Sequence, residues 1–167
     1  MSDDRVPEPP DGDERDVIVG WLAFHRDAFS AKCDGVADDD LIRTGLGGTT
    51  MSLLGLMRHL TEMERVYGAW ALAGGGDLEF VYGPYEEGKP DGDFDELTVA
   101  KVAPSLDAWQ TECAATDRAL GGMALDDPGH GNRHSVRWNL VKLVQEYARH
   151  NGHADLIRQS IDGATGE

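Results

Sequence analysis

Four side chains in this sequence combine metal-binding chemistry with the spacing of helical neighbours. Glu146 and His150 are four residues apart, and His153 follows three residues after His150. Residues three and four positions apart lie on one face of a helix, so Glu146 and His150 can reach one point. His59 borders an apolar stripe with helical spacing in another part of the chain. Imidazole and carboxylate groups at such positions are costly unless paired or bound, and a metal ion satisfies them together.

The set His59, Glu146 and His150 predicts a divalent metal site with three protein ligands. Helix bundles build such sites from carboxylates and histidines on facing helices. Three ligands leave coordination positions open for water or substrate, as in catalytic sites. The donor types favour Zn²⁺ and are also compatible with Fe²⁺, Ni²⁺ or Mn²⁺. A glutamate and a histidine one turn apart can equally form a plain hydrogen-bonded pair, so spacing alone leaves both interpretations open.

The apolar period predicts four long helices that would position these side chains. Acidic or hydroxyl residues and a proline mark their starts, and glycines mark most of their ends. The predicted limits are 13–16 to 33–35, 49–52 to 74, 104–120 and 135–163. His59 falls on the second of these helices, and Glu146, His150 and His153 fall on the fourth.

The predicted fold is therefore all-α, a four-helix bundle with a long crossover connection between helices 2 and 3. No segment has a strand pattern of comparable strength. The connection, residues 77–103, is long for a compact domain, and such connections often serve as a lid or a dimer contact. We predict a single domain over residues 13–163, preceded by a flexible N-terminal segment over residues 1–12.

Composition and charge narrow the classes of partner. The formal charge is -16, which disfavours binding to nucleic acid and to anionic membrane surfaces. No apolar run approaches the roughly 20 residues of a membrane span, and the acidic, proline-rich start differs from a signal peptide. Cys33 and Cys113 lie eighty residues apart without a CxxC motif, as expected of a cytoplasmic protein without a disulfide framework.

Two segments of the sequence together resemble the DinB-like superfamily. They are residues 53–65, LLGLMRHLTEMER, and residues 146–156, EYARHNGHADL. The sequence looks closest to an actinobacterial branch of unknown function, the mini-circle protein type. The resemblance covers nearly the whole chain, including the start of the fourth helix at 135–139 and its end at 161–163.

The resemblance implies a four-helix bundle with one long crossover and a metal held by three side chains. His59 matches the family's ligand on the second helix, and His150 matches the second histidine of an HxxxH motif on the fourth. Glu146 replaces the first, as in the similar mycothiol-dependent maleylpyruvate isomerase, which uses His, Glu and His. His153 stands where the family has glutamine, and can be a fourth ligand, a support for a ligand or a substrate contact. The resemblance also suggests a homodimer.

Members of the superfamily with known activity are mostly transferases or isomerases that use mycothiol, bacillithiol or glutathione. Their metal stabilises the nucleophilic thiolate. The resemblance therefore predicts a zinc-dependent enzyme that activates a low-molecular-weight thiol. Two other hypotheses stay open: a metal-binding or ligand-binding bundle without turnover, perhaps in stress response, and an iron oxygenase with a triad of two histidines and one carboxylate.

Overall fold

The computed structural model describes residues 5–45 and 47–165 of the chain. Its elements are α1 Glu14–Cys33, α2 Asp38–Leu41, α3 Leu53–Met63, a π-helical segment Glu64–Ala69, α4 Trp70–Ala73, a 3₁₀ turn Val99–Lys101, α5 Val102–Leu120 and α6 Val136–Asp162. The described residues form no strand, and a single backbone bridge joins Pro128 to Ser135. Over the same residues, no helix combines the length and the apolar character needed to cross a membrane. The predicted all-α fold is confirmed.

Side-chain caps begin three of the long helices close to the predicted positions. Asp13 accepts a hydrogen bond from the Arg15 backbone at the start of α1. Ser52 accepts one from the Gly55 backbone at the start of α3, and Ser135 caps α6 in the same way. These oxygens satisfy backbone donors that have no partner within the first turn.

Helix α5 begins at Val102, two residues before the predicted start at Pro104. The 3₁₀ turn Val99–Lys101 runs directly into it, so the first helical turn is already formed when the chain reaches the proline. Proline is tolerated there because the first amides of a helix need no intrahelical partner. The short helix α2 was not predicted from the sequence.

The predicted second helix is continuous in direction but changes its winding. Its α-helical hydrogen bonding widens to π-helical between Glu64 and Ala69 and returns to α-helical at Trp70. A Cβ on Gly68 would lie 2.0 Å from Thr116 Oγ1, so the glycine permits close contact with α5. The π-helical segment thus packs its backbone against α5 and directs the Glu64 carboxylate into the core.

The four helices of the bundle are α1, the run from α3 to α4, α5 and α6. Helix α6 packs against α1 and α3, and α5 packs against α3 and the π-helical segment. Large apolar side chains from all four fill the core, among them Leu22, Phe29, Leu56, Leu60, Leu72, Trp109, Leu140, Leu143 and Ile157. The predicted four-helix bundle with a long connection between its second and third helices is confirmed.

The connection from α4 to α5 lies against α3, and its predicted role as a dimer contact stays a prediction. The predicted flexible segment 1–12 lies partly outside the described residues, which begin at Arg5. Arg5 pairs with Asp27 of α1 at 2.5 Å.

Candidate metal centre

Three side chains converge between α3 and α6, and they are His59, Glu146 and His150. Each offers one donor atom, and these atoms all lie within 4.8 Å of one another. Glu146 Oε2 lies 3.9 Å from His59 Nε2 and 3.5 Å from His150 Nε2. Over residues 5–45 and 47–165, this is the one group of three or more metal-ligating side chains that meets so closely. The structure therefore brings together the three residues that the sequence singled out.

Helix packing explains the convergence. Glu146 and His150 are one turn apart on α6 and lie on the flank that faces α3, so both are buried, with side chains about 9% exposed. His59 approaches from α3, and its ring centroid lies 4.6 Å from that of His150. Its side chain is 21% exposed, so the cluster is reached from solvent on the His59 side.

Each of the three side chains also contacts one polar partner on the side that faces away from the shared centre. Asp93 Oδ2 lies 3.2 Å from His59 Nδ1, and His153 Nδ1 lies 3.2 Å from His150 Nδ1. Lys142 donates a hydrogen bond to Glu146 Oε1. The other atom of each group, Nε2 or Oε2, is the one that points to the shared centre. Metal ligands in proteins are commonly oriented by such outer partners.

His153 contacts His150 and does not join the converging group. If His150 presents the lone pair of Nε2 to the centre, its Nδ1 carries the proton and donates a hydrogen bond to Nδ1 of His153. Burial lowers the pKa of His150 to about 4, and the neighbouring His59 and His153 act in the same direction. His150 is therefore neutral at neutral pH, as a ligand must be.

Glu146 carries the negative charge of the cluster. Burial raises the pKa of its carboxyl, but the hydrogen bond and charge of Lys142, with His150 and His59, outweigh burial and lower the pKa overall. The carboxylate form is thus favoured, and Oε2 has no hydrogen-bond donor from Lys142, which engages Oε1.

Sequence reasoning missed Asp93 and Lys142. Lys142 was detectable, because it stands one helical turn before Glu146. Asp93 belongs to the aperiodic connection, where no spacing rule relates it to His59. The residue after it, Phe94, stacks on the His59 ring, with the two ring centroids 5.8 Å apart. The other histidines, His25, His130 and His134, lie outside the cluster.

Neither cysteine belongs to this centre. Burial raises the pKa of the Cys33 thiol to about 12 and raises the pKa of Cys113 further. Cys113 lies in the core beside Glu64 and Tyr147. Both side chains therefore remain thiols at neutral pH and supply no thiolate nucleophile.

The helical bundle, with His59, Glu146 and His150 gathered between facing helices, agrees with what the resemblance to the DinB-like superfamily implied. The model of a DinB-like family described as mycothiol-S-transferase matches residues 17–163. The chain belongs to the mycothiol-S-transferase family. Comparison with curated proteins and with solved structures gave no match.

Proposed function

We propose that residues 13–163 form one metal-binding domain that activates mycothiol, or a related low-molecular-weight thiol, for transfer to an electrophile or for isomerisation. The observation that carries the proposal is the orientation of the cluster. His59, Glu146 and His150 each direct one donor atom to a common point while a polar partner holds the other atom. The membership in a mycothiol-S-transferase family supports the thiol as the co-substrate.

The donor set fits a divalent transition metal. Two neutral imidazoles and one carboxylate match catalytic zinc sites, in which three protein ligands leave a position open. Zn²⁺ is our first choice, and Fe²⁺, Ni²⁺ and Mn²⁺ are the alternatives to test. Glu146 Oε2 faces one nitrogen of each histidine at 3.5 and 3.9 Å, longer than a good hydrogen bond, and a shared cation would fit between the three atoms.

The chain's own residues prepare the centre for a thiol. When bound, the metal supplies a positive charge that stabilises the thiolate, the nucleophilic form of a thiol. Imidazole ligands bring no negative charge to a metal, so the single negative charge of Glu146 would leave part of the metal's charge for the substrate. Cys33 and Cys113 are half-buried, have raised pKa values and lie outside the cluster, so we assign the reacting sulfur to a small molecule.

A thiol transfer to chlorodinitrobenzene provides a balanced test reaction. The thiolate sulfur attacks the ring carbon that bears chlorine, a C–S bond forms, and the C–Cl bond breaks with its electron pair leaving as chloride. The thiol proton passes to solvent. No oxidant or reductant is consumed.

The experiment combines metal analysis with this assay. Purified protein should contain close to one equivalent of metal, and metal-loaded protein should conjugate mycothiol faster than the chelator-treated protein. Glutathione and bacillithiol serve as comparison thiols. If metal binds but no thiol reacts with this or other electrophiles, the non-catalytic metal-binding bundle replaces the enzyme. Oxygen consumption by the anaerobically iron-loaded protein would instead favour the oxygenase.

A further inference from the structure

We propose that Asp93 is a positioning residue of the metal centre. The long connection between α4 and α5, which carries Asp93, thereby helps to orient the ligand His59. The inference rests on the metal site proposed above and assigns a role to a segment outside the helices. Its starting observation is that Asp93 lies 34 residues from His59 in sequence, yet its Oδ2 is 3.2 Å from His59 Nδ1.

The contact fixes the state of the His59 ring. A carboxylate only accepts hydrogen bonds, so the proton of a neutral His59 lies on Nδ1 and its lone pair lies on Nε2. Nε2 is the atom that faces Glu146. A carboxylate behind a ligating imidazole also raises the basicity of that imidazole. Asp93 therefore selects both the tautomer and the orientation in which His59 can bind a metal.

A tight turn presents Asp93 to the histidine. The Asp91 side chain accepts a hydrogen bond from the Asp93 backbone at 2.9 Å, and the Asp95 side chain accepts one from the Asp91 backbone at 2.8 Å. Phe94 then stacks on His59 and lies over Gly55. A Cβ at Gly55 would lie 2.6 Å from Phe94 Cδ1, so α3 is shaped to receive the ring.

Two side chains of α3 and one of the π-helical segment bind the rest of the connection. Arg58 donates to the Gly92 carbonyl from Nε at 3.0 Å and from Nη2 at 2.6 Å, and its guanidinium lies 3.7 Å from the Tyr82 ring centroid. Glu62 accepts from the Tyr82 backbone at 2.6 Å. Arg65 donates to the Glu79 carbonyl at 3.2 Å. Arg58, next to His59 in sequence, thus binds Gly92, which is next to Asp93.

This arrangement couples metal binding to the docking of the connection. If docked Asp93 increases the affinity of His59 for metal, bound metal must stabilise docking by the same factor, because coupling free energies are reciprocal. Asp93 Oδ1 is buried and has no hydrogen-bond partner among the described residues. A buried acceptor left without a partner costs free energy, so the interaction of Oδ2 with His59 has to be favourable for Asp93 to remain docked.

The test compares Asp93→Asn with the matched control Glu87→Gln, which removes the same charge from an exposed position of the connection. Zinc affinity is measured by competition with a chromophoric chelator, and circular dichroism checks the helical fold. We expect Asp93→Asn to weaken zinc binding about 10- to 100-fold, the usual effect of losing such a partner. Glu87→Gln should bind zinc as the wild type does.

Hydrogen exchange of residues 80–95 gives the second measurement. Zinc should slow exchange there in the wild type and in Glu87→Gln, and should have little effect on it in Asp93→Asn. Equal zinc affinity of Asp93→Asn and the wild type would overturn the inference while leaving the metal site intact. A wild-type protein that binds no metal at all would instead overturn the proposed function.

Discussion

Two buried glutamates illustrate how differently this bundle uses the same side chain. Glu64 lies in the π-helical segment. Arg26 donates one hydrogen bond to each of its carboxylate oxygens, both at 2.7 Å. Oε1 also accepts the Tyr147 hydroxyl at 2.8 Å, and the Cys113 thiol lies 3.6 Å away. Glu64 is thus neutralised and fully hydrogen-bonded within the protein.

Glu146 takes part in the protein's hydrogen bonds through one oxygen, Oε1. Lys142 engages Oε1, whereas Oε2 faces two imidazole nitrogens that come too far for hydrogen bonds. Burial is common to both glutamates, so burial alone does not mark a functional carboxylate. What distinguishes Glu146 is the convergence of its Oε2 with one nitrogen of each of two histidines.

The largest expected effect tests whether the Glu146 region is a metal site at all. His59→Ala or His150→Ala should abolish stoichiometric metal binding, because either change leaves only two of three ligands. Metal content after dialysis checks this, and so does thermal unfolding: zinc at 100 times its dissociation constant should stabilise the wild type by about 2.7 kcal/mol and the variants hardly at all. Unchanged metal content in either variant would show that the site is elsewhere.

The next largest effect tests the opposite character of Glu64. Glu64→Gln leaves the buried Arg26 without its main counter-charge, and breaking such a pair costs about 3–5 kcal/mol of unfolding free energy. Asp117 lies 2.8 Å from Arg26 and still supplies part of its counter-charge, which reduces this loss of stability. Urea unfolding measures the loss. Zinc affinity of the folded fraction should not change, and a selective loss of zinc binding would contradict the structural role of Glu64.

The sequence predicted the helices that carry both regions, but the side-chain cluster of only one of them. Helical periodicity and caps predicted the four long helices. The four-residue spacing predicted that Glu146 and His150 share a face, and the position of His59 beside an apolar stripe, with the family resemblance, added the third residue. The core network around Glu64 was not predicted, because it depends on a π-helical widening that no local pattern announces. Asp93 was missed for a related reason: its position depends on tertiary contacts of an aperiodic connection.

A smaller effect separates the converging residues from their supports. Glu146→Gln should weaken zinc binding more than His153→Gln does, because Glu146 directs an oxygen to the centre while His153 contacts only the far side of His150. For His153→Gln we expect a loss of about 10-fold, at the low end for an outer partner. Chelator competition ranks the two variants. The reverse order would make His153 a ligand.

The smallest expected effect uses the residue next to Glu146. Tyr147 is adjacent in sequence, yet α6 turns it toward the other region, where its hydroxyl donates to Glu64 and accepts from Trp109 Nε1 at 2.8 Å. Tyr147→Phe removes one hydroxyl and leaves the Arg26 pair in place. Since a single buried hydrogen bond contributes about 1 kcal/mol, the variant should lose about that much stability and keep its zinc affinity. Weakened zinc binding without destabilisation would show that the two regions are coupled through α6, and would end the distinction between them.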